Sequence, residues 1–300
     1  MKNFAKILRK TQSELKDYVE NRLKSSGRQV AVGDGYVYSQ GELPILLVAH
    51  LDTVHKEVPK EIFYDDNTKT LSSPQGIGGD DRCGVYMIMQ VIKKFNCSVL
   101  FCEDEEIGAK GAQKFIDSEH IKGLEFNYII EFDRKGKDDA VFYDCDNPEF
   151  EEFITKDFFK TSLGSFSDIS WLAPALGCAA VNLSCGYYNA HTLDEYIIIP
   201  EMEDSIDEAC KIIARTKETD KFEYIEAKNS YKSAYGYYDS WYLDEFYTIE
   251  YLNEKSEKKY FDTDALSEDE AIGKFLRKNP NLCYSDIIDV YLEGESNWYI

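Results

Sequence analysis

Pro44-Ile45-Leu46-Leu47-Val48-Ala49-His50-Leu51-Asp52 is the stretch on which the reading of this chain turns. Its apolar residues show neither the alternation of a half-exposed strand nor the three-and-four spacing of an amphipathic helix. A short run of this kind marks a strand buried on both faces, as in a parallel sheet covered by helices. It delivers His50 and Asp52 at its carboxyl end. Beyond the Gly-rich stretch 76–84, Val85, Ile88, Met89, Ile92 and Phe95 predict a helix. Ser98-Val99-Leu100-Phe101-Cys102 repeats the buried-strand pattern, a helix presents Ala112, Phe115 and Ile116 on one face, and Tyr128-Ile129-Ile130 forms the next strand. Strand, helix, strand, helix, strand is the rhythm of a mostly parallel α/β sheet. A strand near 179–183 and a helix over 200–215, with Met202, Ile206, Cys210 and Ile213 facing inward, complete the unit. At the amino-terminal side, residues 3–25 predict one amphipathic helix, and VAVGDGYVYSQG (30–41) predicts a hairpin turning near Gly33-Asp34-Gly35.

The composition changes after about residue 218. Twelve of the 22 tyrosines fall in the last 80 residues, and SYKSAYGYYDSWYLDEF (230–246) has no period of either kind. The chain therefore divides into a unit over 1–218, a Tyr-rich linker over 219–243 whose aromatics lie against a surface, and a module over 244–300. Residues 247–252 and 259–261 predict a hairpin, 267–277 a helix opened by a Ser-x-x-Glu capping box, and 287–292 a strand. The expected class is α/β, a mostly parallel central sheet flanked by helices, with a small C-terminal ββαβ (α+β) module.

Three hundred residues suffice for a full core. With 34 Lys+Arg against 56 Asp+Glu the net charge is −22, which repels nucleic acid and the anionic face of a membrane. No apolar run approaches the roughly 18 residues of a membrane span, and the charged start does not resemble a signal peptide. The expectation is a soluble cytoplasmic protein. Eight cysteines without a CxxC pair imply reduced thiols and argue against a zinc ribbon.

Ionisable residues gather where the core strands end: His50 and Asp52, Asp80-Asp81, Glu105-Glu106, Asp133, and His191 before another apolar segment. Ligands of open α/β folds collect at the carboxyl ends of strands, where diverging loops leave a crevice. Imidazole with carboxylate suits zinc or a similar divalent ion, and so many carboxylates in one crevice repel each other unless about two cations offset them. Each piece is weak alone; their order, on buried strands, carries the inference.

VAHLDTV, GIGGDDRCG, EDEEIG, the strand ending in EFDRKG, and NAHTLDEY occur in that order and resemble the five metal-site motifs of the co-catalytic dizinc exopeptidases. That superfamily includes glutamate carboxypeptidase, the peptidase T tripeptidases, the acylamino acid deacylases and the bacterial zinc aminopeptidases. The resemblance covers about residues 4–215. It implies that Asp80 bridges two metal ions, that His50 and Asp133 hold one and Glu106 and His191 the other, that Asp52 orients the His50 ring, and that Glu105 is the general base. Only 58 positions separate Asp133 from His191, too few for the lid or dimerisation domain that peptidase T and the carboxypeptidases carry there. The compact core in this respect resembles the single-domain aminopeptidases, whereas GGDDRCG and VAHLDTV are closer to the tripeptidase branch.

Glu131, on the same strand face as Asp133, is a second candidate for that ligand. Ser165-Phe166-Ser167-Asp168 resembles a loop near the active site of related aminopeptidases and reads equally well as a helix N-cap. His55 and His120 read as surface residues. The first functional reading is a metallo-exopeptidase, an aminopeptidase or small-peptide hydrolase, with two zinc ions (cobalt or manganese being compatible) and a cleft that the tail module caps. The second is an acyl-amino acid deacylase or carboxypeptidase with the same water chemistry. The third is a catalytically silent binding or scaffold protein with the Tyr-rich tail as its surface. All seven expected positions are filled, which favours the first two; the oligomeric state is left open.

Overall fold

The apolar run ending at His50 lies inside an eight-stranded sheet. The structure, a computed structural model, describes residues 2–164, 166–227, 245–253, 255–265, 268–279, 281–282 and 284–293. The chain enters through α1 (Lys2–Leu8) and α2 (Gln12–Ser25), two helices where one was expected. Thr11 is the reason: its hydroxyl accepts the Glu14 amide while the Glu14 carboxylate accepts the Thr11 amide, a capping box that starts a new helix. The expected hairpin follows as β1 (Ala31–Gly33) and β2 (Tyr36–Ser39), then β3 (Leu43–His50). β4 (Phe63–Asp65) and β5 (Thr70–Ser72), which sequence patterning did not foresee, lead into α3 (Gly79–Val91). The alternation then runs as expected through β6 (Cys97–Cys102), α4 (Lys110–Ile116) and β7 (Tyr128–Arg134). β8 (Asp139–Val141), α5 (Pro148–Thr155), β9 (Lys160–Ser162), α6 (Ile169–Leu176) and β10 (Ala180–Ser184) come next, and β11 (Tyr187–Tyr188), β12 (Tyr196–Ile198) and α7 (Ile199–Arg215) close the unit.

The large sheet has the order β1-β2-β6-β3-β7-β10-β8-β9. β6, β3, β7 and β10 pair in parallel, as do β8 and β9, and the remaining neighbours are antiparallel. The run at 45–49 is apolar throughout because both faces of β3 are covered. Ile45, Leu47 and Ala49 join the core under α1, α2, α3, α5 and α7, while Leu46 and Val48 join the one under α4 and α6. Ile45, Leu46, Leu47 and Val48, fully buried, contribute about 1.5–3 kcal/mol each. A smaller antiparallel sheet, β11-β12-β5-β4, packs beside the start of α3.

The C-terminal elements are β13 (Glu245–Leu252), β14 (Lys258–Ala265), α8 (Glu268–Lys278) and β15 (Ile287–Glu293). They form an antiparallel sheet β14-β13-β15 with Ile249, Ala271 and Phe275 in its core. Upstream, residues 219–227 are an edge of the large unit and not a free linker. Glu223 bridges to Cys178 and Glu226 to Cys145, and the Phe222 ring lies 5.1 Å from those of Phe150 and Phe153. Residues 228–244, most of the Tyr-rich stretch, lie outside the described residues, as does the expected cap Ser267. No described helix is long and apolar enough to cross a membrane.

Candidate metal centre

β3, β6 and β7 run side by side in one direction, with His50 opposite Cys102 and Val48 opposite Glu131, so their carboxyl ends open on the same edge. His50 ends β3 with its side chain 1% exposed. Its Nδ1 lies 3.2 Å from Asp52 Oδ1, and its Nε2 lies 3.0 Å from Asp80 Oδ1 and 3.4 Å from Asp133 Oδ1. One ring nitrogen thus faces a positioning carboxylate and the other the cluster, the division of labour that fixes the tautomer of a ligating histidine. Burial disfavours a charged ring, but Asp133 and Asp52 outweigh it and hold the imidazole pKa well above its ordinary range.

The two adjacent aspartates divide cleanly. Asp81 Oδ2 accepts the His50 amide at 3.1 Å and its Oδ1 accepts the Gly84 amide at 2.8 Å, so Asp81 caps the regular part of α3 and ties it to β3. Asp80 has an extended backbone (φ −80°, ψ 107°) and turns its carboxylate the other way. Its Oδ1 faces His50 and its Oδ2 lies 3.2 Å from His191 Nε2. Burial opposes its ionisation, yet His191 and His50 hold its pKa far below the carboxylate range. Gly84 sets the spacing to the next strand: a Cβ there would sit 1.9 Å from the Phe132 carbonyl, so only glycine lets α3 approach β7 and bring Asp80 to Asp133.

Asp133 Oδ1 accepts from the Tyr187 hydroxyl at 3.3 Å, and Oδ2 lies 3.1 Å from Ser167 Oγ. Burial and then the Asp80 charge push its pKa up to about 6. Glu131 does not reach the cluster; its Oε2 is 2.5 Å from Ser167 Oγ. A single hydroxyl proton cannot serve both carboxylates. Burial and Asp133 hold the Glu131 pKa well above the carboxylate range, and the Ser167 hydroxyl, donating to one of the two carboxylates at a time, links Glu131 to Asp133. The loop at 166–168 is therefore beside the cluster through Ser167, whereas Asp168 begins α6 without its side chain capping it. The Asp168 carboxylate is buried, and burial pushes its pKa up to about 7. Ser165 lies outside the described residues.

Glu105 and Glu106 follow β6, and both amides donate to the Asp52 carboxylate, at 3.1 and 3.0 Å. Burial opposes a charge on Asp52, but the His50 ring and these two amides hold its pKa below the usual value. Glu106 Oε2 lies 3.2 Å from His191 Nε2, while its Oε1 is buried with no hydrogen-bond partner. Burial, then Asp80, raises the Glu106 pKa; burial above all holds Glu105 well above the ordinary range. Burial works against a charged His191, but Asp80 and Glu106 push its pKa up to about 12.

Donor atoms of His50, Asp80 and Asp133 lie within 4.8 Å of one another, as do those of Asp80, Glu106 and His191. Asp80 belongs to both groups. The ion pairs of these carboxylates are with the two histidines, while the Arg82 guanidinium is buried nearby and Arg134 and Lys135 line the same cavity. Mixed imidazole and carboxylate donors, a shared carboxylate and the unpartnered Glu106 Oε1 fit two divalent cations.

The group opens into a cavity of about 640 Å³, the size of a small-ligand pocket. Aminopeptidase PepT from Bacillus cereus ATCC 10987 aligns over 71% of this chain and 96% of its own, with TM-score 0.57 and 14% identity. A tripeptidase from Staphylococcus aureus subsp. aureus Mu50 covers 71% and 97%, with TM-score 0.57 and 13% identity. The fold is that of this aminopeptidase and this tripeptidase. Aminopeptidase APDkam598 from the archaeon Desulfurococcus kamchatkensis shares it at TM-score 0.57 and 15% identity, over 72% of this chain and 94% of that one. No family model and no curated protein matches the sequence.

Within this fold, a residue that sequence reasoning missed secures Asp80. Glu195, fully buried, accepts the Asp80 amide at 2.9 Å through Oε1 and the Gly78 amide at 2.8 Å through Oε2. His55, expected at the surface, instead lies 2.7 Å from the same Oε2 with its side chain only 6% exposed. Glu195 stands four residues after His191 in the NAHTLDEY segment; only the tertiary fold shows what it holds. His120 is exposed as expected and meets the Tyr36 hydroxyl. Buried Arg82 donates to the Asp52 and Lys10 carbonyls, joining the Asp52 loop to the α1–α2 junction.

Proposed function

We propose that this chain is a metal-dependent exopeptidase that removes a terminal residue from short peptides. The observation that carries the reading is the pair of three-residue donor groups sharing Asp80, with Glu105 beside them in one cavity. The fold, shared with aminopeptidases and a tripeptidase, supports it. His50, Asp80 and Asp133 would hold one divalent ion and Asp80, Glu106 and His191 the other; the donor set suits zinc and accommodates cobalt or manganese. Two such ions supply Lewis acidity, lowering the pKa of water from 15.7 toward about 7 and polarising the scissile carbonyl.

The remaining work falls to the chain. Asp52 fixes the His50 ring through Nδ1 and, by accepting the amides at 105 and 106, sets where both glutamates stand. Glu106 is directed to His191, whereas Glu105 lines the cavity beside the donor groups, where its carboxylate can take a proton from the attacking water and return it to the leaving amine. Proton transfer of this kind contributes about 10² to 10⁴ in rate.

The test is a mass-spectrometric digest of mixed short peptides by protein loaded with Zn²⁺, Co²⁺ or Mn²⁺, with N-acetylated and C-amidated copies present. Shortening from the amino end, blocked by acetylation and abolished by chelation, is expected. Shortening from the carboxyl end, or release of acyl groups, would move the assignment to a carboxypeptidase or deacylase. No turnover with any metal would refute the enzymatic reading and leave a binding protein.

A further inference from the structure

The metal-site residues form one side of the cavity, and the C-terminal module supplies the other. Ile272, Gly273 and Leu276 of α8, and Tyr284 beyond it, line the same space as Asp80, Glu105, Glu106, Asp133 and His191. The Tyr284 ring stands edge-on to the His191 ring, with centroids 5.4 Å apart and planes at 77°. Ala271, Ile272 and Phe275 are buried in the module core and Leu276 packs against it. Ile272 and Leu276, on the same flank of the helix, also border the cavity. None of the four module residues lining the cavity is charged, although α8 has six ionisable residues in its eleven.

We propose that α8 and Tyr284 form the wall against which the terminal side chain of the substrate packs, and that this wall selects an apolar one. The proposal rests on the exopeptidase reading and deepens it by naming the substrate class. An apolar side chain displaces water from Leu276 and Tyr284, with Ile272 behind them. A charged one of either sign loses hydration against these apolar side chains, while across the cavity stand both the site carboxylates and the cations of Arg134 and Lys135. The module thereby does two things at once: it closes the metal site on one side and reads the residue to be removed.

The experiment compares kcat/KM on tripeptides that differ only in the terminal residue, Leu, Phe, Ala or Asp followed by two glycines, for the full chain and for Leu276→Ala and Ile272→Val. Leu and Phe should exceed Ala and far exceed Asp. A missing methylene in an apolar pocket changes discrimination by about 10- to 200-fold, so Leu276→Ala should lower the Leu/Ala ratio at least about tenfold, chiefly through KM. Ratios unchanged in both variants would overturn the proposal. A second readout needs no turnover. Tyr284→Trp should add emission that Co²⁺ in the site quenches and Zn²⁺ does not, measured as the difference from the unaltered chain with its own three tryptophans. Absence of that quenching would show that the module does not face the metals and would overturn the wall. Quenching without cleavage of any peptide would uphold the wall and refute the exopeptidase reading instead.

Discussion

Replacing Glu195 by glutamine changes one atom and should damage the site from behind. The Glu195 carboxylate accepts three donors: the Asp80 amide on Oε1, and the Gly78 amide and His55 Nε2 on Oε2. A glutamine keeps one oxygen and turns an NH₂ toward a backbone N–H, whichever way it is flipped. Hydrogen bonds to charged groups are worth about 1.5–3 kcal/mol, and a buried donor left unsatisfied costs about 1–3 kcal/mol. Losing one such bond and weakening the others predicts about 2–4 kcal/mol of destabilisation, a large part of a total of about 5–15. In a unit of this size that lowers Tm by about 5–15 °C. Because the Asp80 backbone is released, metal affinity should fall about 10- to 100-fold, the usual consequence of removing a positioning partner. The assays are thermal unfolding of metal-free protein and calorimetric titration with Zn²⁺. A Glu195→Gln protein within about 0.5 kcal/mol of the unaltered one, with undiminished affinity, would refute the reasoning.

Glu105→Gln should keep both metals and lose about 10² to 10⁴ in turnover; loss of metal together with activity would show that the roles of Glu105 and Glu106 are exchanged. Asp52→Asn should weaken metal binding about 10- to 100-fold, since Asp52 holds His50 and both glutamate amides; unchanged affinity in a Zn²⁺ titration would count against that role. The His191 pKa is raised from 6.5 to about 12 in the metal-free site, so its contribution to the stability of metal-free protein is present below about pH 6.5 and lost as pH climbs toward 12. Metal binding at neutral pH should accordingly release protons, a release read by calorimetry in buffers of different ionisation enthalpy; heats independent of buffer would contradict it. Truncation after Ala227 should leave a folded unit that binds metal, whereas truncation after Glu218 removes Phe222 from its contacts with Phe150 and Phe153 and should lower Tm; equal melting would show that 219–227 do not belong to the core.

The parts of the fold that sequence pattern revealed are those in which burial dictates composition. Residues 45–49 had to be apolar because the two cores claim them alternately, and the same holds for 99–102 and 128–130. The small sheet escaped notice because its strands are two or three residues long, too short for any period, and β4 is exposed at all three positions. The break at Thr11 was there to be read as Thr-x-x-Glu, yet the apolar periodicity runs on through it and hides the cap. In the site, motif order marked the positions, but spacing could not separate Asp80 from Asp81. What separates them is tertiary: Asp81 is taken by the His50 and Gly84 amides. Glu131 and Asp133 share a strand face and both meet Ser167; what distinguishes them is that Asp133 reaches the His50 ring and the Tyr187 hydroxyl. Glu195 acts on main-chain amides over a hundred residues upstream, which no local pattern records.

The most direct test of the account is anomalous X-ray scattering at the zinc edge from crystals of the zinc-loaded chain. Two peaks about 3.5–4 Å apart, one beside His50 and Asp133, the other beside Glu106 and His191, with Asp80 between them, are the predicted result. A single peak, or zinc bound elsewhere with this cluster unliganded, would contradict it.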